Sequence, residues 1–221
     1  MIQNEKSGSI SCTSCKNDSC IHQVSACCLQ DSSIAPAIIE ESTACYSNED
    51  SQDRLYMVAS EKIKQLIGIK VTRIESIIAF SHEIGAKKIG IASCITTLPE
   101  ARVFKRILES HGFECVCIVC KVGGRDKDEI GFFAKEGVLP RFRAMCNPIL
   151  QAKVLDDRKT DLNVILGLCV GHDTLFAQYS KAPVTVLFTR DEATGNNAVQ
   201  PLYLLDSVYS YLLKNDTTDK N

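Results

Sequence analysis

The sequence predicts an α/β fold: a mostly parallel sheet of four or five strands with helices on both faces, preceded by a cysteine-rich, loop-dominated N-terminal module. Three observations carry this. Short apolar runs alternate with helix-period segments between residues 87 and 189, which is the pattern of strands joined by helical crossovers. Six of the 12 cysteines fall in residues 1–47, where Ser, Asn and Asp are frequent and no period is sustained. The remaining 174 residues are long enough to bury a core, and the whole chain is 45% hydrophobic. The expected division is therefore an N-terminal module at 1–47 and an α/β domain at 48–215, ending in the frayed tail KNDTTDKN.

The first 47 residues allow one short helix around PAIIEESTACY. SNED then offers Ser47 or Asn48 as an N-cap, and Leu55, Val58, Ile63, Leu66 and Ile67 recur near helical spacing up to the stop at Gly68. Thr72 opens a second helix, because TRIE has the capping-box spacing and Ile74, Ile77, Ile78 and Ile84 form its apolar stripe before Gly85. KKIGIASC is a buried strand, Pro99–His111 a helix and ECVCIVCK a second strand. Residues 122–145 form a long charged, glycine-containing loop. NPILQAKVLDD starts a helix with Asn147 as N-cap and Pro148 at its first position. LNVILGLCVG is the third strand, HDTLFAQYSK a short helix, PVTVLFT the fourth strand, and VQPLYLLDSVYSYLL a final amphipathic helix. Right-handed crossovers place all the strand-to-helix turns on one edge of such a sheet.

Four cysteines fall on that edge. Cys94, Cys120 and Cys169 close strand patterns, and Cys146 opens a helix pattern. Ligands of open parallel sheets bind outside the carboxyl ends of the strands, so these thiols are candidate ligands for a soft metal or an iron–sulfur cluster. Asn147, at the following helix N-terminus, and Gly123–Gly124, which let the backbone approach closely, are candidate cofactor contacts. Cys115 and Cys117 alternate with Val116 and Ile118 inside a strand and are assigned to packing, as is the isolated Cys45. A second set lies in the N-terminal module. Cys12 and Cys15 have C-x2-C spacing, Cys20 follows, and Cys27, Cys28 or His22 would complete four ligands. His172 and Asp173, just after Cys169, are candidates for proton relay or substrate binding, and equally for capping the helix they begin.

Other classes lack their signatures. The net charge of −2, the absence of Trp and the few aromatics give no nucleic-acid pattern. No apolar run reaches the ~18 residues of a membrane span. KVGGRDK lacks phosphate-loop spacing, no dinucleotide fingerprint follows the first strand, and no Ser-His-Asp elbow or H-E-x-x-H motif occurs. The N-terminus lacks the apolar core of a secretory signal, so a reducing cytoplasm is expected, where clustered cysteines favour metal binding or catalysis over disulfides.

CTSCKNDSC at 12–20 (within SCTSCKNDSC), KVGG at 121–124, MCNPILQA at 145–152, TDLNVILGLCVGHD at 160–173 and YSKAPVT at 179–185 resemble a bacterial and archaeal family, domain of unknown function 1847, a group of predicted metal-binding proteins common in anaerobes. The resemblance implies metal binding and no particular reaction. The family's N-terminal pattern places a later cysteine before proline; here Cys27–Cys28–Leu29 stands there, which leaves the fourth N-terminal ligand open. The expected function is iron–sulfur binding with an electron-transfer or redox role toward an unidentified redox partner or small molecule. The alternatives are a zinc-binding structural or sensor protein, and a thiol-dependent enzyme using Cys169 or Cys120.

Overall fold

Four strands form one sheet: β1 (Lys88–Ser93), β2 (Glu114–Val119), β3 (Leu162–Leu166) and β4 (Val184–Phe188), in the order β2-β1-β3-β4. Every neighbouring pair is parallel. The computed structural model describes residues 12–13, 35–67, 70–133 and 142–214. The chain divides into two units, Met1–Leu66 and Ile67–Asn221; the sheet belongs to the second.

Strand periodicity sorts the core into two layers. Ile89 and Ile91 of β1, with Leu162, Val164 and Leu166 of β3, face α3 (Arg73–Glu83) and α4 (Leu98–Ser110), where they pack with Ile77, Ile78, Ala101, Phe104 and Leu108. The alternate residues Ala92 and Ile165 face α5 (Pro148–Asp157) and α6 (His172–Tyr179), against Ala152, Leu155 and Phe176. The two central strands are buried on both faces, so they are continuous apolar runs. This is the expected α/β architecture, with four strands, all parallel, among the described residues.

The helix starts follow local chemistry. Thr72 and Glu75 form the predicted capping box: Glu75 N–H donates to Thr72 Oγ1 (3.2 Å) and Thr72 N–H to Glu75 Oε2 (2.7 Å). Asn147 caps α5 through Leu150 N–H (2.9 Å), with Pro148 in the first turn. Arg73 reaches the edge strand β4, donating to Val186 O (3.1 Å) and Thr185 Oγ1 (2.6 Å), which covers part of an otherwise open edge.

Three boundaries differ from expectation. In the first unit, α1 (Ala35–Ser47) continues to Ser47, so neither Ser47 nor Asn48 caps α2 (Gln52–Ile67). Asn48 instead makes a side-chain turn to Asp50 N–H (3.1 Å), and Ser51 is the cap, accepting from Arg54 N–H (3.1 Å). The 122–145 loop carries structure of its own, with a 3-10 turn at Lys127–Ile130 and an antiparallel bridge between Asp126 and Ala144. The final segment is a short helix α7 (Gln200–Tyr203) and a 3-10 turn at Ser210–Leu213. Leu202, Tyr203, Val208 and Leu213 are all more than two-thirds exposed. An amphipathic pattern holds a long helix only when its apolar side is covered.

Gly90 marks the tightest contact between β1 and the α5 layer. A Cβ there would lie 2.0 Å from Asn163 Oδ1 and 3.0 Å from Leu155 Cδ1. Asn163 is buried and held by Thr160 Oγ1 and Ser180 Oγ, both at 2.8 Å. Gly90→Ala is expected to lower unfolding stability by about 1–3 kcal/mol, the range for overpacking a close-packed core. An unchanged urea midpoint would show that this layer is loose.

Candidate functional site

The strand order places a topological switch point between β1 and β3. The chain leaves β1 for β2 through α4 on one face, and reaches β3 through α5 on the other. The loops leaving β1 and β3 therefore diverge, opening a crevice at the carboxyl ends of the strands. Cys94 follows β1 and Cys169 stands three residues beyond β3, so they flank this crevice.

Backbone register delivers the other sulfurs. Ser93 pairs with Val119, so Cys94 and Cys120 are each one residue past the last matched pair of β1 and β2. Cys120 N–H donates to Ser93 O (2.8 Å) and Cys94 N–H to Leu166 O (3.2 Å). Both side chains lie in the same buried layer, 3% and 1% exposed. Asn147 N–H donates to Cys120 O (2.8 Å), which holds the start of α5 against the end of β2. Cys146 Sγ comes to 3.8 Å from Cys120 Sγ. Gln151, one turn into α5, is fully buried beneath them, and its Nε2 donates to Ser93 O (3.1 Å) and Ile118 O (2.8 Å). Gly167 lets β3 approach the β1 turn: its φ is +67°, and a Cβ would lie 2.6 Å from the Thr97 side chain.

Arg190 completes the site. β4 shifts register by one residue against β3, so that Leu166 pairs with Phe188; such an irregularity re-aims the side chains beyond it. Arg190 N–H then donates to Leu168 O (3.1 Å). Its Nη1 lies 3.4 Å from Cys169 Sγ and 3.7 Å from Cys94 Sγ, and its Nη2 is paired with Glu192. The sulfurs thus form two neighbouring pairs: Cys146 beside Cys120, and Cys94 linked to Cys169 through one guanidinium nitrogen, with Cys120 and Cys94 just past the matched ends of β2 and β1.

The thiols differ electrostatically. Burial pushes the Cys94 thiol up, but hydrogen bonds from the Thr96 hydroxyl (3.2 Å), the Thr96 N–H and Cys120, with the charge of Arg190, outweigh it and hold the pKa below the ordinary range. Burial pushes Cys120 up to about 12; the Ile95 N–H at 3.4 Å opposes this, while neighbouring Cys146 and Cys94 add to it. The surroundings thus favour the thiolate form at Cys94 and disfavour it at Cys120, relative to an ordinary cysteine. Arg190 is held above its usual value by Glu192 first and Cys169 second. Within β2, burial raises Cys115 to about 11 and also raises Cys117, and both pack against the α3/α4 layer as expected.

The remaining candidates divide. Asn147 spends its side chain on capping α5. Gly123 has φ +89° and faces Leu150, 2.7 Å from where a Cβ would stand, so it seats the loop against α5; nothing lies within 4 Å of the corresponding position at Gly124. His172 and Asp173 begin α6, and both N–H groups donate to Cys169 O (3.0 and 3.1 Å). The N-cap is Gly171 and no side chain caps the helix, so neither residue has the capping role the sequence allowed; the Asp173 carboxylate accepts from Thr174 N–H (2.7 Å). Cys12 is exposed, as is Cys45, whose thiol donates to Glu41 O (3.5 Å), a surface position where packing was expected. Cys15, Cys20, Cys27, Cys28 and His22 lie outside the described residues. Arg190 was missed by sequence reasoning: TRDE at 189–192 has no distinctive spacing, and the register shift that aims the guanidinium has no sequence signature.

Arg190→Met is expected to destabilise the metal-free protein by about 1–3 kcal/mol, the range for hydrogen bonds to charged groups. Glu192→Gln should cost less than about 1 kcal/mol, as for other exposed ion pairs. Equal urea midpoints for the two variants would show that Arg190 acts through Glu192 and not through the sulfurs.

Residues 28–187 match the family described as Protein of unknown function (DUF1847). The matched stretch contains Cys94, Cys120, Cys146 and Cys169, and it begins after Cys12, Cys15 and Cys20. The chain is also 39% identical over 174 residues to the uncharacterized protein MJ0455 of Methanocaldococcus jannaschii, an alignment covering 72% of this chain and 89% of the relative. With all four edge cysteines and the sheet up to residue 187 inside the match, the chain belongs to the DUF1847 family.

Proposed function

We propose that the sulfur-lined crevice binds a soft metal as an iron–sulfur centre and that the protein serves electron transfer or a redox reaction. The observation that supports this most is the meeting of four cysteines from four separate segments at a topological switch point. The donor chemistry fits. An all-sulfur set suits iron–sulfur clusters or zinc. Such a thiolate centre carries negative charge, and the groups that would offset it are in place: Ile95 N–H on Cys120, the Thr96 hydroxyl on Cys94, and the Arg190 guanidinium on Cys94 and Cys169. Among the described residues, no three His, Cys, Asp or Glu side chains surround one point at ion-binding distance. The sulfurs are paired with each other and with Arg190, so binding asks for side-chain rotation in the half-buried Cys146 and Cys169 and withdrawal of Arg190.

Cys94, Cys120, Cys146 and Cys169 would hold the centre, and a bound cluster would supply one-electron chemistry. The residues of the chain set its surroundings. Gln151 locks the floor by joining the carbonyls of β1 and β2, and Arg190 carries the compensating positive charge. A cytoplasmic setting accords with free thiols, and among the described residues no helix is long and apolar enough to cross a membrane.

Protein purified without oxygen is expected to be brown, with iron and acid-labile sulfide in stoichiometric amounts. Cys94→Ala and Cys169→Ala should each remove most of the visible absorbance, while Cys15→Ala should leave the crevice's share. Colourless protein with stoichiometric zinc would replace the redox reading with a structural or sensor role. Metal-free protein with all thiols free would end both.

A further inference from the structure

We propose that Cys120 and Cys146 form a dithiol–disulfide couple that exchanges with small-molecule disulfides, with Cys146 as the attacking thiol and Cys120 as the resolving one. The geometry carries this independently of any metal. Their sulfurs are 3.8 Å apart. The hydrogen bond from Asn147 N–H to Cys120 O (2.8 Å) fixes the two backbones side by side. Cys146 sits in the connector just before α5, where no helical turn restricts its χ1. Closing the gap to the ~2.05 Å of an S–S bond would fall to rotation of the Cys146 side chain. The other half of the cluster is arranged differently: Arg190 Nη1 stands between Cys94 and Cys169 and bonds to both sulfurs. The four thiols are thus two unlike pairs, one in direct contact and one bridged by a cation.

Exposure sets the order of events. Cys146 is partly exposed, and Cys120 is 1% exposed. A small disulfide RSSR meets Cys146 first. The Cys146 thiolate, its proton lost to solvent, attacks one sulfur of RSSR; a Cys146–SR bond forms, the S–S bond of RSSR breaks, and one RS⁻ leaves. The Cys120 sulfur then loses its proton and attacks Cys146 Sγ, forming the Cys120–Cys146 bond and expelling the second RS⁻. Two protein thiols are oxidised, one small disulfide is reduced to two thiols, and the two protons pass to the departing thiolates. In a centre that holds an ion, which rests on the metal reading above, the same bond withdraws two of the four sulfurs and releases the ion.

The test uses the full chain, reduced and stripped of metal with a chelator, then incubated without oxygen with oxidised glutathione as the probe. Remaining thiols are alkylated and the peptides mapped by mass spectrometry. The expected product is a Cys120–Cys146 crosslink. Cys120→Ser should stop at a glutathione adduct on Cys146, and Cys146→Ser should slow modification of Cys120 by at least about tenfold. Circular dichroism of both variants separates loss of exchange from loss of fold. If Cys120→Ser misfolds, the crosslink in the unaltered chain still decides. A crosslink between Cys120 and Cys94, or oxidation confined to the N-terminal cysteines with Cys120 and Cys146 still alkylated, overturns the proposal. A parallel arm loads the protein with zinc and follows its release during oxidation. Crosslinking in a protein that, purified without oxygen, carries neither iron–sulfur nor zinc would sink the metal reading and leave this one standing; a metal-loaded protein that gives no crosslink once stripped would do the reverse.

Discussion

The parallel pairing of Ser93 with Val119 governs where the chemistry of this molecule sits. Adjacent parallel strands lie about 4.8 Å apart, and residues at matched positions point to the same face. Because β1 and β2 end on a matched pair, the next residue of each strand, Cys94 and Cys120, is delivered to one place in one buried layer. A one-residue slip in either strand would turn one sulfur toward the α3/α4 layer. The apolar alternation of both strands resists that slip, since Ile89 and Ile91 would have to leave one core and Ala92 the other. The same burial that stabilises the sheet therefore fixes the sulfurs.

The two sulfurs that come from outside the β1–β2 pair depend on looser devices. Cys146 is positioned by the backbone bonds of its neighbours, Asn147 N–H to Cys120 O and Met145 N–H to Arg125 O, and by the cap of α5. Cys169 is positioned by the first turn of α6, whose N–H groups close onto its own carbonyl. Both are half-buried where Cys94 and Cys120 are buried. The rigid half of the cluster is built on strands and the adjustable half on turns, an arrangement that allows sulfurs to change partners without disturbing the core.

Sequence patterns reveal most of the sheet and one side of the site. The four strands, the capping box at Thr72 and the cap at Asn147 follow from periodicity and local hydrogen bonding, which act over a few residues and leave their mark on the sequence. The placement of Cys94 and Cys120 just past strand ends was legible for the same reason, whereas Cys169, expected to close the third strand, stands in the turn three residues beyond β3. What escaped is what depends on contacts across the fold. The long C-terminal helix was expected because its apolar spacing is genuine, but spacing does not show whether a surface exists to cover it. Gly123 has the freedom expected of it, yet the space beside it is filled by Leu150. Arg190 depends on a register shift between β3 and β4 that no local pattern encodes.

Arg190 also contributes to the difference between the neighbouring thiols Cys94 and Cys120. A buried sulfur anion without a partner is costly, and Cys94 is 3% exposed. Burial opposes the anionic form there, but the Thr96 hydroxyl, helped by Cys120 and the guanidinium, outweighs it and lowers the pKa of Cys94, while burial first, and the neighbouring Cys146 and Cys94 after it, raise that of Cys120. Chemically identical side chains thus differ through burial and hydrogen bonding, and Arg190 adds to the difference. Any ligand that enters the crevice as a cation competes with Arg190 for Cys94 and Cys169, and any oxidant that reaches Cys146 meets the half of the cluster that Arg190 does not guard. In the two proposed chemistries, the placement of this single side chain separates the pairs of sulfurs at which each would begin.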